Sequence, residues 1–196
     1  MEIGFEYLRY GQRIALENMR SRRYIAYGDK GEATADGVHP GIYGKDFEPK
    51  EELIIRNFTE RDSTDVVQSN RHVCLQTASG AYLVFNGAGE LKVEANPNYD
   101  QNSNIARLAK WCVQDARGGK NPHPLHLNSL IAFKQAFNNY MVRLPSGVLA
   151  ANAPSIKEES SFKVVRADCP PLPEWYLHRR LLVAPEAPLP ALMKKP

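Results

Sequence analysis

Short apolar runs separated by polar turns recur along most of the chain. In residues 132–151, AFKQAFNNYMVRLPSGVLAA, two apolar runs flank a polar break at Asn138-Asn139. A second turn, Pro145-Ser146-Gly147, leads into a third apolar run. Runs of this length, bounded by turn residues, predict β-strands joined as hairpins rather than amphipathic helices.

The same pattern occurs three times. Each copy carries a tyrosine at the start of its second run and a glycine in the turn that follows, and both recur every 58 residues: Tyr24, Tyr82 and Tyr140, and Gly31, Gly89 and Gly147. A fixed period of this kind indicates a supersecondary unit that buries its apolar face only by packing against its neighbours. We expect the turn glycines to adopt positive φ angles, which cost glycine little.

Four short strands in each copy make twelve, and three related copies can close a barrel and cap it with hairpins. The prediction is therefore an all-β fold, specifically a β-trefoil: three four-strand repeats forming a pseudo-threefold barrel. The side chains expected to point into the barrel are Ile14, Leu16, Tyr24, Ile54, Val73, Leu75, Leu83, Leu91, Trp111, Val113, Ile131, Phe133, Met141, Leu149, Phe162 and Val164.

The predicted boundaries are an N-terminal lead-in at 1–11, the trefoil domain at 12–166 and a Pro-rich C-terminal tail at 167–196. Seven of the 14 prolines fall in residues 170–196, a density that disfavours sheet and long helix. Within the barrel, residues 36–52 interrupt the first repeat with Gly and Pro, which predicts a surface loop. Residues 105–109 are expected to make a helical turn.

Charge and composition are those of an ordinary globular protein. Hydrophobic residues make up 43% and charged residues 24% of the 196, with a net charge of +3. This mild charge argues against a dedicated nucleic-acid binder. No apolar run is long enough to span a bilayer, and the N-terminus lacks a secretory signal. With three widely spaced cysteines, these features predict reduced thiols, a cytoplasmic location and no membrane association.

The strand skeleton resembles a known family. The pattern of apolar-small-apolar, polar loop, Tyr-apolar, Gly-x-Leu-x-Ala and Phe/Trp-x-Val is similar to the fascin-like trefoil modules of actin-crosslinking proteins. The third repeat carries it best, in Ile131-Ala132-Phe133, Asn139-Tyr140-Met141, residues 147–151 and Phe162-Lys163-Val164. The resemblance covers residues 12–165 and implies a β-trefoil and a cytoskeletal role. The Gln-x-Trp signature of ricin-type lectins is absent, because Trp111 follows Ala109-Lys110.

The predicted partner-binding residues lie outside the repeated skeleton. Arg20, Arg22 and Arg23, with Lys30 nearby, form the densest basic cluster and are expected to face an acidic protein surface such as a filament. Trp175 and Tyr176 make the tail too apolar for a segment that is simply exposed to solvent. They are expected either to dock on the domain or to be received by a partner.

Known catalytic motifs are missing from the sequence, and the prediction is that the chain is not an enzyme and uses no cofactor or metal. Cys112 has no histidine partner identifiable along the chain. His123 and His126 are spaced like metal ligands, but no carboxylate or cysteine is close to them in sequence.

The leading functional hypothesis is a non-catalytic protein-binding module of the cytoskeleton, contacting actin filaments or an axonemal, microtubule-associated assembly. The alternative is a carbohydrate-binding, lectin-like trefoil. That alternative predicts polar and aromatic residues repeated in the variable loops, whereas the loops ENMRSRR, QTASGA and KQAFNN differ. A secreted cytokine-like ligand is a third class, disfavoured by the missing signal.

Overall fold

The computed structural model describes residues 6–37, 49–85, 89–95 and 102–167, and these residues form a fold made almost entirely of strands. The strands are β1 (Arg13–Asn18), β2 (Tyr24–Tyr27), β3 (Ala33–Gly37), β4 (Leu53–Asn57), β5 (Arg71–Thr77), β6 (Tyr82–Phe85), β7 (Leu91–Glu94), β8 (Trp111–Asp115), β9 (Leu130–Lys134), β10 (Tyr140–Arg143), β11 (Leu149–Ala153) and β12 (Phe162–Arg166). One short helix, α1 (Asn104–Leu108), lies where the helical turn was predicted. Two 3-10 turns, Pro49–Glu51 and Glu158–Ser160, complete the described elements.

Six of the strands close into a barrel by antiparallel pairing. In order around the barrel, β1 pairs with β4, β4 with β5, β5 with β8, β8 with β9 and β9 with β12, and β12 pairs back to β1. The other six strands form three hairpins, β2–β3, β6–β7 and β10–β11. The predicted all-β barrel is therefore confirmed, and closure leaves none of the six barrel strands as an exposed edge.

The core fills the barrel with two side chains from each of its six strands. All twelve are at most 1% exposed, and they alternate with outward residues as the strand period requires: Ile14, Leu16, Leu53, Ile55, Val73, Leu75, Trp111, Val113, Ile131, Phe133, Phe162 and Val164. Hairpin residues such as Leu83, Met141 and Leu149 join the same cluster. The apolar centre is thus continuous from the barrel into the hairpins.

One end of the barrel is closed by a triangle of backbone hydrogen bonds. Leu8 N–H donates to Leu125 O (2.9 Å), Leu125 N–H to Val67 O (2.8 Å) and Val67 N–H to Leu8 O (2.8 Å). All three side chains are buried in the core. Leu8 belongs to the predicted lead-in, so this segment is part of the packed domain.

The hairpin end carries a second triangle of the same kind. The carbonyls of Gly31, Gly89 and Gly147 each accept one hydrogen bond from the next hairpin, and the donors are Val93, Ala151 and Ala35 in that order, at 2.7–2.8 Å. The glycine φ angles are 82°, 98° and 90°, which confirms the expectation of positive φ. The repeated glycines therefore lie where the hairpins meet.

Two residues predicted to point into the barrel do not. Ile54 is half-buried on the outer face, because β4 places its neighbours Leu53 and Ile55 inward, and a one-residue change of register reverses every side chain of a strand. Tyr24 is also half-buried, with Ile25 inward in its place, and it packs beside Ala15. The remaining fourteen predicted inward residues are buried.

Candidate functional site

Each third of the barrel presents a row of three outward side chains across neighbouring strands. In every row the third residue pairs with the tyrosine that begins the next hairpin. The three rows are His72–Cys112–Lys134, Arg13–Ile54–Gln76 and Leu130–Lys163–Glu17. Equivalent backbone positions thus carry different chemistry on the three walls.

The first row lines a pocket of 280 Å³ on the outside of the barrel. Strands β5, β8 and β9 form its floor, and the turn between β9 and β10 forms one rim. We call it the Gln135 pocket, after the turn residue discussed below. Its lining residues are His72, Lys110, Cys112, Gln114, Lys134, Gln135, Ala136 and Asn138. Among these, cationic and amide side chains predominate and no carboxylate is present.

Two lysines bring positive charge to this pocket, and each is oriented by an aromatic ring. The Lys110 ammonium lies 4.9 Å from the centre of the Phe58 ring, and the Lys134 ammonium lies 5.7 Å from that of Tyr140. Cation–π contacts of this length are attractive and restrict where the ammonium group moves. The Tyr140 hydroxyl also donates to Gln114 Oε1 at 2.9 Å, which holds the aromatic support in place.

Shifted pKa values favour the neutral forms of Cys112 and His72. Burial raises the pKa of the Cys112 thiol, although Lys134 and a hydrogen bond with Gln114 partly oppose this. Partial desolvation, followed by repulsion from Lys110, lowers the pKa of His72. At neutral pH the pocket therefore contains a thiol and an uncharged imidazole, and its net charge comes from the lysines.

Gln135 distinguishes this pocket from the equivalent positions on the other walls. Its backbone N–H donates to Asn139 O, as Asn18 does to Arg23 O and Thr77 to Ala81 O. The side-chain oxygen of Asn18 accepts from Ser21 N–H, and the Thr77 hydroxyl accepts from Ala81 N–H. Gln135 is only 4% exposed, yet its Oε1 has no hydrogen-bond partner among the described residues.

Such an acceptor is costly unless something bonds to it. Leaving a buried carbonyl without a donor costs on the order of 1–3 kcal/mol. Asn18 and Thr77, the counterparts of Gln135, avoid this cost because their side chains form hydrogen bonds within their own loops. At Gln135 the donor comes from outside the described protein residues, either from a water molecule or from a bound ligand.

Phe137 lies beside this pocket in the same turn. It is 71% exposed, and Ala136 and Asn138 on either side of it line the pocket. A phenylalanine at the surface of a polar turn contributes nothing to the core. The turn is tight, because Asn138 adopts a φ of 65° and donates its N–H to Gln135 O. An exposed apolar ring therefore belongs to the turn that forms one rim of the pocket.

The predicted basic cluster is divided by the fold. Arg20, Arg22 and Arg23 are exposed in the β1–β2 turn, where Arg20 pairs with Glu158 (3.4 Å) and Arg22 with Glu17 (2.9 Å). Lys30 lies in the β2–β3 turn, at the other end of β2, about 13 Å of strand away. It lines a separate hollow of 560 Å³. Binding of a partner by these residues stays a prediction.

Trp175 and Tyr176, the other predicted partner-binding residues, lie outside the described residues. So does most of the predicted surface loop, at 38–48. The described residues contain no helix long and apolar enough to cross a membrane.

The histidine pair noted in the sequence is used for local contacts. His123 Nε2 lies 2.9 Å from Asp115 Oδ2, and its Nδ1 lies 3.0 Å from the buried hydroxyl of Ser69. The Asp115 hydrogen bond raises the pKa of His123. The His126 ring stacks on Tyr7 at 4.6 Å. Within the described ranges, no three His, Cys, Asp or Glu side chains gather as metal ligands would.

Sequence reasoning missed this pocket for an identifiable reason. No histidine lies near Cys112 along the chain, but barrel closure pairs β5 with β8 and sets His72 directly opposite it. Their separation of 40 positions in the sequence hides this pairing unless the strand order is known. Phe137 offered a second signal, since it is the apolar residue of the polar segment KQAFNN.

No protein-family model matches the chain, and no curated protein sequence matches it. Solved structures do. A Caenorhabditis elegans protein of unknown function superposes with a TM-score of 0.61 at 12% identity, covering 85% of this chain and 99% of its own. The SDF2-like protein from Arabidopsis thaliana superposes with a TM-score of 0.60 at 14% identity, covering 86% of this chain and 99% of its own.

An arabinofuranosidase solved with arabinofuranosyl-alpha-1,2-xylobiose is also similar. Its TM-score is 0.58 at 15% identity, with 84% of this chain and 33% of the enzyme covered. Likeness at these identities establishes the fold and nothing finer. None of these three structures is described as a fascin, so the family resemblance and the cytoskeletal role stay predictions.

Proposed function

We propose that the chain is a β-trefoil that binds carbohydrate in the Gln135 pocket without catalysing a reaction. The trefoil assignment is supported by the strand pairing: six strands in the barrel, three hairpins, and a backbone triangle at each end. The 58-residue spacing of the glycines in the hairpin triangle gives the same threefold relation in the sequence.

The observation that carries the proposal is the buried, unpartnered Oε1 of Gln135 in the same turn as the exposed ring of Phe137. A sugar ring offers what both lack. Its hydroxyls donate hydrogen bonds to a carbonyl oxygen, and its C–H face packs on the electron-rich face of an aromatic ring. Asn138 and Gln114 add further amide groups within the pocket.

The size of the pocket suits a small ligand. At 280 Å³ it lies just below the range of about 300–1,000 Å³ that is typical of sites for drug-sized molecules. It would hold one sugar ring, with the rest of an oligosaccharide following the barrel wall. The arabinofuranosidase among the structural neighbours was solved with an oligosaccharide, which is compatible with this ligand class.

A catalytic role is disfavoured by the protonation states in the pocket. A cysteine nucleophile reacts as a thiolate, usually formed beside a histidinium or another cation that lowers its pKa. Here burial raises the pKa of Cys112, and the pKa of His72 is lowered. The described residues of the pocket lining also include no carboxylate, whereas glycoside hydrolysis requires a pair.

The differing loops, which argued against a lectin, fit a single site. On the other two walls, Gln76 and Glu17 occupy the position of Lys134. The position of Gln135 is occupied there by Thr77 and Asn18, whose side chains form hydrogen bonds within their own loops. A site on one wall requires no threefold repetition of polar residues. The proposed module therefore has one carbohydrate pocket.

Isothermal titration calorimetry with an oligosaccharide panel tests the proposal. Phe137→Ala should weaken binding at least tenfold while leaving thermal stability unchanged, because the ring is exposed. Tyr7→Ala is the matched control, since Tyr7 is 44% exposed and lies next to Leu8, at the barrel end closed by the Leu8–Val67–Leu125 triangle. Binding that is equally sensitive to both variants, or to neither, would contradict the proposed site.

A further inference from the structure

The charge of the Gln135 pocket narrows the ligand class. We infer that the sugar bound there is acidic, carrying a carboxylate or a sulfate ester that lies between Lys110 and Lys134. This inference rests on the proposed carbohydrate function and deepens it. It follows from the arrangement of charges on the three walls of the barrel.

Only this wall combines two lysines with no carboxylate among its described lining residues. Lys110 directly precedes β8, and the residues that precede β4 and β12 are Glu52 and Ser161. Lys134 is replaced by Gln76 on one wall and by Glu17 on another. An anion would meet a glutamate at the equivalent places on either of those walls.

The two ammonium groups are available to a ligand. Lys110 and Lys134 are half-buried, and the contacts described for their ammonium groups are with aromatic rings rather than carboxylates. A ring contact leaves the three N–H donors of each lysine free to bond an anion. By contrast, Glu52 of the second wall is bound by Arg13 through three hydrogen bonds, at 2.5, 2.6 and 2.9 Å.

Gln135 and Phe137 distinguish a sugar from a simple anion. A free phosphate or sulfate would meet the lysines but would offer little to an apolar ring. It would also place negative oxygens near the Gln135 carbonyl, whereas a neutral hydroxyl donates to it. An acidic sugar presents its anion to the lysines, a hydroxyl to Gln135 and a C–H face to Phe137.

The test compares three matched trisaccharides by calorimetry: a galacturonate, a 6-sulfated galactose and neutral galactose. We expect at least one acidic trisaccharide to bind tenfold or more tightly than the neutral one. The preference should shrink as salt is raised from 50 to 500 mM, because screening weakens charge pairing. The Lys110→Gln/Lys134→Gln double variant should bind acidic and neutral forms within about twofold of each other.

Lys120→Gln is the charge-matched control, since Lys120 is exposed in the connector and is not among the described lining residues of the pocket. It should keep the full preference. Equal binding of neutral and acidic trisaccharides by the unmodified protein, still dependent on Phe137, would overturn the acidic-sugar inference while the carbohydrate function stands. Binding of inorganic sulfate as tightly as the sulfated sugar would also overturn it. If no trisaccharide binds, both the inference and the proposed function fail.

Discussion

Replacing Gln135 with methionine should stabilise the protein and abolish carbohydrate binding. Methionine has nearly the same length as glutamine but no carbonyl, so the variant removes the buried Oε1 that lacks a partner. Relief of that desolvation cost is worth on the order of 1–3 kcal/mol in the free energy of unfolding. In a chain of 196 residues, each kcal/mol corresponds to about 2–4 °C in melting temperature.

Thr77→Val is the matched control, because Thr77 occupies the equivalent turn position and its hydroxyl is satisfied. That hydroxyl bonds with Ala81 N–H at 3.1 Å and with the Ser79 hydroxyl at 2.9 Å. Its loss should destabilise the protein by about 1 kcal/mol. The two substitutions, both from polar to apolar at the same place in the fold, are thus expected to act in opposite directions.

Urea denaturation of the three proteins, followed by circular dichroism, measures these differences. The reasoning is refuted if Gln135→Met destabilises the protein by as much as Thr77→Val, because Oε1 would then be bonded in the native state. Calorimetry on the same samples supplies the second readout. A stabilised variant that still binds oligosaccharide with unchanged affinity would remove Gln135 from the site.

Two further predictions concern the scaffold. Gly31→Ala should destabilise the protein by more than 1 kcal/mol in urea denaturation, because φ is 82° and an added Cβ would lie 2.7 Å from Val93 O. Gly118→Ala should cost less, because Gly118 also has a positive φ but has open space around it. In an NMR pH titration, His123 should titrate above its ordinary value of about 6.5 and His72 below it. The His123 contribution to stability is therefore full below pH 6.5 and lost as pH rises through its folded pKa, whereas that of His72 is full above pH 6.5 and lost as pH falls. Equal titration of both histidines, or equal costs for both alanine variants, would contradict these arguments.

The barrel was predictable because its determinants are repeated. The turn glycine and the alternation of apolar and polar residues each occur three times, so chance explains the pattern much less readily than it would explain a single copy. The errors fell in the first repeat, at Tyr24 and Ile54. A run such as Leu53-Ile54-Ile55 is apolar at every position, so alternation gives no information about which residues point inward.

The pocket was not predictable from patterns along the chain, because its parts come from three strands. His72, Cys112 and Lys134 are adjacent only through the pairing of β5, β8 and β9. Nor does the sequence distinguish Gln135 from the many solvated glutamines of surface turns. Its burial and its missing hydrogen bond depend on how the β9–β10 turn folds over the barrel wall.

An NMR titration of the ¹⁵N-labelled protein with neutral and acidic trisaccharides tests the central proposal most directly. Saturable shifts of the amide signals in residues 110–114 and 134–138 are the predicted result, with little change in the Arg20–Arg23 turn. The proposal is contradicted if millimolar trisaccharides move no signals, or if the shifts lie away from the Gln135 pocket.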